Sequence, residues 1–314
     1  MKAIVMRQFG DASVLHLEDM PKPIPKEDEV LIQVEYAGVN HIDWKIREGL
    51  MKEMMPYTFP IIPGWDVSGV IVECGKKVKD LKIGDEVFAF VKKPIIQWGA
   101  YAEYIAFTAE GVALKPKFLS FAQAATLPLA SLAAWEALVD IVKLKKSETI
   151  FIHGGSGSVG AMAIQLAKHI GATVITTSGP KKRDYMQQLG ADFVVDYKGN
   201  FGEKIREYIP EGVDVVFDCY DKEQLDQAAH VLKKRGRLVS ILKEFNASLA
   251  KLDIDTFFLS THPDSKESKT IAKWFEQKKF QPLPLEEMPL SQAAQAQEKQ
   301  RLGDASKKIA LKVR

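Results

Sequence analysis

The residues that point most clearly to chemistry form a glycine-rich stretch, HGGSGSVG, at positions 153–160. Its glycines give the pattern G-x-G-x-x-G between an apolar run typical of a strand and a periodic run typical of a helix. The first glycine of this pattern permits a tight turn, the second lets the backbone approach a pyrophosphate, and the third lets the helix pack on the sheet. The residues predicted to hold a dinucleotide are Gly155, Ser156, Gly157, Ser158, Val159 and Gly160.

The next predicted strand ends in an unusual set of polar residues. Dinucleotide-binding proteins that use NAD carry Asp or Glu here, about 20 residues beyond the loop, to hold the ribose 2′-hydroxyl. This chain has Ser178 instead, followed by Lys181 and Lys182. A hydroxyl and two ammonium groups attract a 2′-phosphate, each charge-assisted hydrogen bond contributing about 1.5–3 kcal/mol. The pattern therefore favours NADP(H), although a solvated helix start is the simpler alternative.

Composition limits the remaining classes of protein. The chain has 314 residues, enough for roughly two domains, and a formal net charge of +2, which provides no general field for nucleic acid. Its two cysteines, Cys74 and Cys219, are too few for a disulfide framework or a Cys-rich zinc site. Arg7 interrupts the first apolar run, and the longest one, residues 121–135, is too short to span a bilayer. We expect a cytoplasmic protein without nucleic-acid or membrane partners.

The two halves of the chain have different patterns of predicted secondary structure. Residues 1 to about 115 contain short β-rich runs separated by Gly, Pro and Asp, a pattern that predicts an antiparallel barrel or sandwich. From about 120, predicted strands alternate with helices, which indicates right-handed βαβ crossovers and a doubly wound parallel sheet. The strands of this part are predicted at 149–154, 172–178, 192–197, 213–220 and 237–242. After about 260 come a helix, a segment at 291–302, and a closing strand at 307–313 expected to rejoin an earlier sheet.

Several longer motifs match one known family nearly end to end. They are AGVNHIDWKIREG (37–49), FPIIPGWDVSGV (59–70), IGDEVFAF (83–90), GAYAEY (99–104), AATLPLASLAAWEAL (124–138) and LGADFVVDY (189–197). With the glycine loop and the closing KKIALKV, they resemble the zinc-independent quinone oxidoreductase branch of the medium-chain dehydrogenase/reductase superfamily. The resemblance implies an α/β fold with a discontinuous GroES-like β-barrel domain, 1–120 and 262–314, around a Rossmann NADP(H)-binding domain, 121–261.

The resemblance also bears on metal chemistry. Zinc-containing relatives place a cysteine ligand where Asn40 stands and a histidine ligand where Trp65 stands, and their structural zinc lobe needs four cysteines. No metal is therefore expected. A site with NADPH but neither zinc nor a strong base is poorly suited to oxidising alcohols, whereas reducing a quinone or an α,β-unsaturated carbonyl needs chiefly hydride delivery and a donor for the oxyanion.

Two residues are the candidates for catalysis. The amide of Asn40 is suited to donate to a substrate carbonyl or to orient the nicotinamide, or else it fixes the turn after the strand. Tyr57 is a displaced substitute for a family tyrosine whose position is occupied here by Met51. Among the neighbours, Tyr101 is more typical of a core residue, and Asp43 is expected to brace the segment through local hydrogen bonds.

Other positions are expected to serve binding or structure. Tyr197 matches a family tyrosine that packs on the adenosine end of the cofactor, with ordinary packing as its alternative. His153 is expected to be a buried, hydrogen-bonded histidine. Two other functions stay open: an enoyl-thioester reductase and a non-catalytic NADPH-binding sensor or regulator. Homodimers joined at the Rossmann edge strand are common in the family.

Overall fold

The computed structural model describes residues 1–220, 224–241, 245, 247–303 and 307–314. The chain divides into two units, one formed by Met1–Leu129 with His262–Arg314 and the other by Ala130–Thr261. The first division falls at Leu129 rather than at the expected residue 120. The reason is a short helix, Phe121–Ala125, which contacts the strands of the first unit and accepts a 2.6 Å hydrogen bond from Ser68 Oγ at the Phe121 carbonyl.

The elements are numbered in chain order. The strands are β1 Lys2–Val5, β2 His16–Asp19, β3 Glu29–Gly38, β4 Tyr57–Ile62, β5 Asp66–Cys74, β6 Glu86–Phe90, β7 Ile96–Trp98, β8 Tyr104–Thr108, β9 Val112–Leu114, β10 Thr149–His153, β11 Thr173–Thr177, β12 Phe193–Val195, β13 Val213–Asp218, β14 Leu232–Ser240, β15 Ile254–Phe258, β16 Leu285–Pro289 and β17 Lys308–Lys312. The helices are α1 His41–Arg47, α2 Phe121–Ala125, α3 Pro128–Trp135, α4 Ser158–Ile170, α5 Arg183–Gln188, α6 Phe201–Tyr208, α7 Leu225–Ala229, α8 Ser265–Glu276 and α9 Ala293–Arg301. No described helix has the length and apolar character needed to cross a membrane.

The unit Ala130–Thr261 contains the predicted parallel sheet. Its strand order is β12-β11-β10-β13-β14-β15, and every neighbouring pair is parallel. The chain leaves β10 in one direction and returns to β13 on its other side, so the loops that follow β10 and β13 diverge at a topological switch point. The strand predicted at 237–242 begins earlier, at Leu232, and its last predicted residue lies outside the described residues.

The other unit is built on a mainly antiparallel sheet in the order β16-β17-β3-β5-β6-β9, with β8 pairing with β3. The closing strand rejoins the N-terminal segment as predicted, because β17 pairs antiparallel with β3. Inward-facing apolar residues of these strands, among them Ile32, Val34 and Ile71, form a fully buried core. Two strands that the sequence did not indicate, β4 and β7, form a separate parallel pair.

Helix α1, also not predicted, is held by buried polar contacts at both ends. At its start, Asp43 Oδ2 accepts 2.8 Å hydrogen bonds from the Asn40 backbone N–H and from the Tyr101 hydroxyl. At its end, the buried Arg47 guanidinium donates to Glu298 at 2.7 Å and to the Gly10 carbonyl at 3.3 Å. Both expectations are confirmed: Asp43 braces the segment, and Tyr101 is a fully buried core residue.

The Asp43 carboxyl has an unusual environment for an acid. It is fully buried, and its Oδ1 has no hydrogen-bond partner among the described residues. Burial raises the pKa of Asp43 to about 7, although the hydrogen bonds from the Asn40 N–H and Tyr101 lower it in part. The folded protein therefore retains a proton on this carboxyl at pH values at which the unfolded chain has released it.

This difference predicts a pH-dependent effect of Asp43→Asn on stability. A carboxyl whose folded pKa is raised stabilises the fold fully below its unfolded pKa of 3.8, and this contribution is lost as the pH rises towards 7. The asparagine has no charge to bury. Its free energy of unfolding relative to wild type should therefore increase by about 1–3 kcal/mol between pH 5 and pH 8, measured by urea unfolding.

Asp80→Asn, at an exposed position of the same unit, is the matched control and should show no such trend. A free-energy difference for Asp43→Asn that stays constant over this range would show that the Asp43 carboxyl is ionised in the folded protein throughout.

Candidate active site

The glycine loop follows β10 and leads directly into α4, with Gly157 at the N-cap position. Two of its glycines are required by the packing of the protein itself. A Cβ at Gly155 would overlap Thr176 Oγ1, and a Cβ at Gly160 would overlap the Gly154 carbonyl oxygen and lie 2.7 Å from Gly155 Cα. These two positions let the loop turn tightly and let α4 lie against it, as the sequence pattern predicts.

Gly157 has a different reason for being glycine. A Cβ there would meet only the Gly154 carbonyl oxygen, at 3.4 Å, and the residue is exposed with an ordinary φ of −80°. The protein's own structure therefore leaves room for a side chain at this position. Beside it, the first turn of the 13-residue α4 carries no acidic residue, and its first N–H groups have no intrahelical partner. Open space next to free N–H groups fits a phosphate that approaches the backbone closely.

The end of β11 lies beside this loop. The Gly154 N–H donates to Thr177 Oγ1 at 3.0 Å, and the Ser178 N–H donates to the Val195 carbonyl at 2.9 Å, which joins the ends of β11 and β12. Tyr197 follows β12, and a Cβ on Gly179 would lie 3.5 Å from its ring. The structure thus places Tyr197 beside Gly179, the residue that follows Ser178.

The two predicted lysines lie just beyond this turn. Residues Pro180–Lys182 form a 3-10 turn, and α5 begins only at Arg183, two residues later than predicted for this helix. Lys181 is exposed and Lys182 half-buried, and neither forms an ion pair with any residue in the described ranges. Their positive charge is therefore uncompensated within the described part of the chain.

His153, at the end of β10, is confirmed as a buried histidine with hydrogen bonds at both ring nitrogens. Nδ1 lies 2.9 Å from Asp218 Oδ1, and Nε2 lies 3.2 Å from Gln224 Oε1. Asp218 Oδ2 in turn accepts a 2.8 Å hydrogen bond from Ser240 Oγ. Sequence reasoning missed Asp218 and Ser240, although both lie at the carboxyl ends of predicted neighbouring strands.

In the other unit, Asn40 lies at the junction of three elements. Its backbone fixes the start of α1, while its side chain lies between Lys308 of β17 and Asp66 of β5. The Lys308 ammonium donates to Asn40 Oδ1, and Asn40 Nδ2 donates to Asp66 Oδ2 at 2.8 Å. Asp66 Oδ1 accepts a further 2.9 Å hydrogen bond from the Leu129 N–H. Asn40 therefore fixes the turn through its backbone, while its side-chain amide contacts Lys308 and Asp66.

Burial dominates the electrostatics of this group. It raises the pKa of Asp66 to about 6, against the opposing effects of Lys308, the Asn40 amide and the Leu129 N–H. It lowers the pKa of Lys308, against the opposing charges of Asp66 and Asp43. Lys308 and Asp66 were not singled out from the sequence, because a lysine in a closing strand and an acid after PGW are both typical of structural positions.

Tyr57, the second catalytic candidate, lies at the start of β4 in an aromatic cluster. Its ring contacts Phe9 and Phe59 edge-on, with centroids 4.8 and 5.6 Å away. The side chain is 40% exposed, and its hydroxyl forms no hydrogen bond within the described part of the chain. No contact between described residues joins it to Asn40, so its part in the reaction stays a prediction.

The positions that hold zinc in zinc-containing relatives carry other contacts here. Trp65 is buried and packs edge-on against Phe90, with ring centroids 5.9 Å apart, while Asn40 binds Lys308 and Asp66. In the described ranges, no group of three or more His, Cys, Asp or Glu residues is arranged to hold a metal ion.

Comparison with known proteins identifies the chain's relatives. Residues 26–117 match the alcohol dehydrogenase GroES-like domain family, and residues 158–261 match the zinc-binding dehydrogenase family. A chloroplastic NADPH-dependent alkenal/one oxidoreductase of Arabidopsis thaliana is 42% identical over 249 residues, which are 77% of this chain. The matched region spans only 62% of that relative's length.

Two further proteins match over more of their length. The quinone oxidoreductase of Sus scrofa is 34% identical over 247 residues, covering 77% of this chain and 73% of that protein. The solved structure of the quinone oxidoreductase from Coxiella burnetii superposes with a TM-score of 0.89 at 32% identity, covering 100% of this chain and 99% of that one. The fold and the resemblance predicted from the sequence are confirmed: the chain belongs to the quinone oxidoreductase branch of the medium-chain dehydrogenase/reductase superfamily.

Proposed function

We propose that this chain is an NADPH-dependent oxidoreductase that reduces quinones or α,β-unsaturated carbonyls by hydride transfer without a metal ion. The observation that carries the proposal is the end of β11, where Ser178 replaces a carboxylate and two uncompensated ammonium groups follow. The names of the relatives support the reaction class, since one is an NADPH-dependent alkenal/one oxidoreductase and another a quinone oxidoreductase.

The proposed cofactor site assigns a role to each predicted residue. The loop Gly155–Gly160 and the first N–H groups of α4 hold the diphosphate, for which the open space at Gly157 leaves room. Ser178, Lys181 and Lys182 hold the 2′-phosphate, and the Tyr197 ring covers the adenosine end. When bound, NADPH supplies the hydride, and the chain supplies binding, orientation and charge stabilisation.

The proposed chemistry needs little from the protein beyond a hydrogen-bond donor. Asn40 donates to the substrate oxygen that becomes negative, because its amide is held in place by charged partners. Tyr57, with its exposed hydroxyl, is the proposed proton source, and solvent water is the alternative. Since Asn40 and Trp65 replace zinc ligands of other relatives, the proposal includes no metal.

The reaction is tested by following nicotinamide absorbance with NADPH or NADH and three acceptors: a quinone, a small enal and an enoyl thioester. Turnover of the quinone or enal with NADPH, and much slower turnover with NADH, is the expected result. Faster turnover of the thioester would instead favour the enoyl-thioester reductase. NADPH binding without turnover of any acceptor would favour the non-catalytic sensor or regulator.

Location and assembly are also proposals. A cytoplasmic location is supported by two cysteines that are both free, and imaging of a tagged chain checks it. A homodimer joined along β15 is supported by the position of that strand at an edge of the parallel sheet, and light scattering after gel filtration checks it.

Removing both lysines should weaken NADPH binding selectively. For Lys181→Ala with Lys182→Ala, the Kd for NADPH should rise roughly 10- to 100-fold, because two charge-assisted contacts to the 2′-phosphate are lost. The Kd for NADH should stay within about twofold. Fluorescence titration measures both constants. Lys204→Ala, an exposed lysine on α6, is the control. Equal weakening of NADPH and NADH binding would show that these lysines do not bind the 2′-phosphate.

Adding a methyl group at Gly157 should separate binding from stability. Gly157→Ala should lower the free energy of unfolding by no more than about 1 kcal/mol, because the Cβ has room and only the N-cap preference changes. The Kd for both NADPH and NADH should nevertheless rise about tenfold or more, since the methyl group occupies the space proposed for the diphosphate.

Gly160→Ala is the matched comparison. Its Cβ would overlap a backbone carbonyl, so this variant should lose stability without any cofactor present. Undiminished cofactor binding by Gly157→Ala would contradict the proposed position of the diphosphate.

A further inference from the structure

We propose that Lys308 is a positioning residue for the reaction, acting through Asn40, whose remaining amide N–H donates to the substrate oxygen that becomes negative during hydride transfer. This inference rests on the proposed function and assigns a role to a residue of β17 that lies 268 positions from Asn40 in the sequence. Asp66 is the second member of the arrangement, because it accepts from the same amide.

The Asn40 amide is held in one orientation by its two charged partners. An ammonium group has hydrogen atoms to donate and no acceptor, so the Asn40 atom facing Lys308 must be the oxygen. A carboxylate only accepts, so the atom facing Asp66 at 2.8 Å must be the nitrogen. Because both partners impose the same orientation, the amide has no second arrangement of comparable energy.

One hydrogen atom of the Asn40 amide remains available for a further hydrogen bond. The amide nitrogen carries two hydrogens, and Asp66 accepts one of them. No residue in the described ranges accepts the other. With its oxygen occupied by Lys308, Asn40 therefore offers a new partner one N–H donor and no acceptor. A donor without an acceptor is suited to an oxygen that gains negative charge.

Lys308 strengthens the remaining N–H of Asn40 as a hydrogen-bond donor. An ammonium on the amide oxygen withdraws electron density from the nitrogen and so strengthens its N–H groups as donors, an effect of about 10–30% per bond in hydrogen-bonded chains. The three side chains are 4% (Asn40), 0% (Asp66) and 6% (Lys308) exposed, so water screens the effect little. The donor is held in place before the reaction, which avoids a cost of reorganisation.

A purely structural role does not explain why the buried residue at position 308 is a lysine. Burying an ammonium costs free energy that its partners seldom recover fully, and an apolar side chain of similar length at such a position often gives equal or greater stability. Its neighbours in β17, such as Ile309 and Leu311, are buried and apolar. A lysine at this position is therefore better explained by what its charge does to Asn40.

An enone would be reduced in two steps, hydride addition and protonation. The β-carbon accepts the hydride from NADPH, and the electron pair displaced from the C=C bond moves through the carbonyl to give an enolate oxygen, which accepts the hydrogen bond from Asn40. A proton from the Tyr57 hydroxyl, which solvent then replaces, or directly from solvent bonds to the α-carbon, which gives the saturated ketone and NADP⁺. Lys308 keeps its proton throughout.

A double-mutant cycle in the full-length chain tests the inference. Lys308→Met should lower kcat for enone reduction about 10- to 100-fold, and KM and the Kd for NADPH should change less than about threefold. In an Asn40→Ala background, the same substitution should lower kcat less than twofold further, because the residue through which Lys308 acts is gone. Lys308→Arg should recover part of the activity, and Lys312→Met, at an exposed position of β17, should have no effect.

A second readout does not depend on turnover. In ¹H–¹⁵N spectra of the free protein, one side-chain amide pair should be absent from Asn40→Ala and is thereby assigned to Asn40. Lys308→Met should shift this pair, and Lys312→Met should leave it unchanged. If Lys308→Met does not fold, as circular dichroism would show, Lys308→Gln takes its place in the cycle, since it removes the positive charge and keeps a polar side chain of similar length.

The outcomes separate this inference from the proposed function. Wild-type protein that turns over no acceptor with NADPH overturns both. Active wild-type protein in which the kcat losses of Lys308→Met and Asn40→Ala multiply overturns this inference alone, because Lys308 then acts independently of Asn40. An unshifted Asn40 amide pair in Lys308→Met does the same.

Discussion

The pairing of β17 with β3 is the constraint on which the larger unit depends. Ala310 lies opposite Gly38 and Leu311 opposite Ala37, and the Val39 N–H donates to the Ile309 carbonyl at 3.0 Å. This register places the first residue of β17, Lys308, beside Asn40, just after the end of β3. A shift by one residue would turn Lys308 to the other face of the sheet and separate it from the amide. The ladder between the two strands thus determines which charge Asn40 contacts.

In the parallel sheet, the order of the strands determines which residues of the candidate cofactor site lie close together. Because β10, β11 and β12 are neighbours and parallel, the residues that follow them collect at one edge of the sheet. The glycine loop follows β10, Ser178 follows β11 and Tyr197 follows β12. A buried hydrogen-bonded set, His153 with Asp218 and Ser240, joins the ends of β10, β13 and β14 from within. Hydrogen bonds between these buried side chains therefore connect the carboxyl ends of three strands of the sheet.

The sequence was most informative where the determinants are local. The G-x-G-x-x-G pattern, the apolar face of α4 and the alternation of strands with helices each lie within short windows, so the parallel sheet and its loop were predicted correctly. The glycines illustrate the limit, because the pattern alone does not reveal that Gly155 and Gly160 are required by packing while Gly157 is not.

Prediction failed where distant segments meet. Helix α1 has only seven residues and depends on Arg47 contacts to α9, so its own sequence carries a weak signal. Strand β7 has three residues, and among the described strands it pairs with β4 alone. In the sequence, Lys308 looks like an ordinary strand lysine, and only the folded structure shows that it contacts Asn40. In each case the missing information is a tertiary contact, which composition and periodicity do not contain.

The discontinuity of the larger unit has a consequence for how the chain is made. All strands of the parallel sheet lie within the continuous stretch Ala130–Thr261, so they leave the ribosome together. Strand β3 emerges from the ribosome before them, but its partner β17 is synthesised more than 260 residues later. Residues Glu29–Gln33 of β3 pair on this side with β8, but Tyr36–Gly38 lack their partner until β17 is made and form a short strand edge that can pair with other nascent chains. The nascent protein therefore retains this short edge until Lys308–Lys312 has been synthesised.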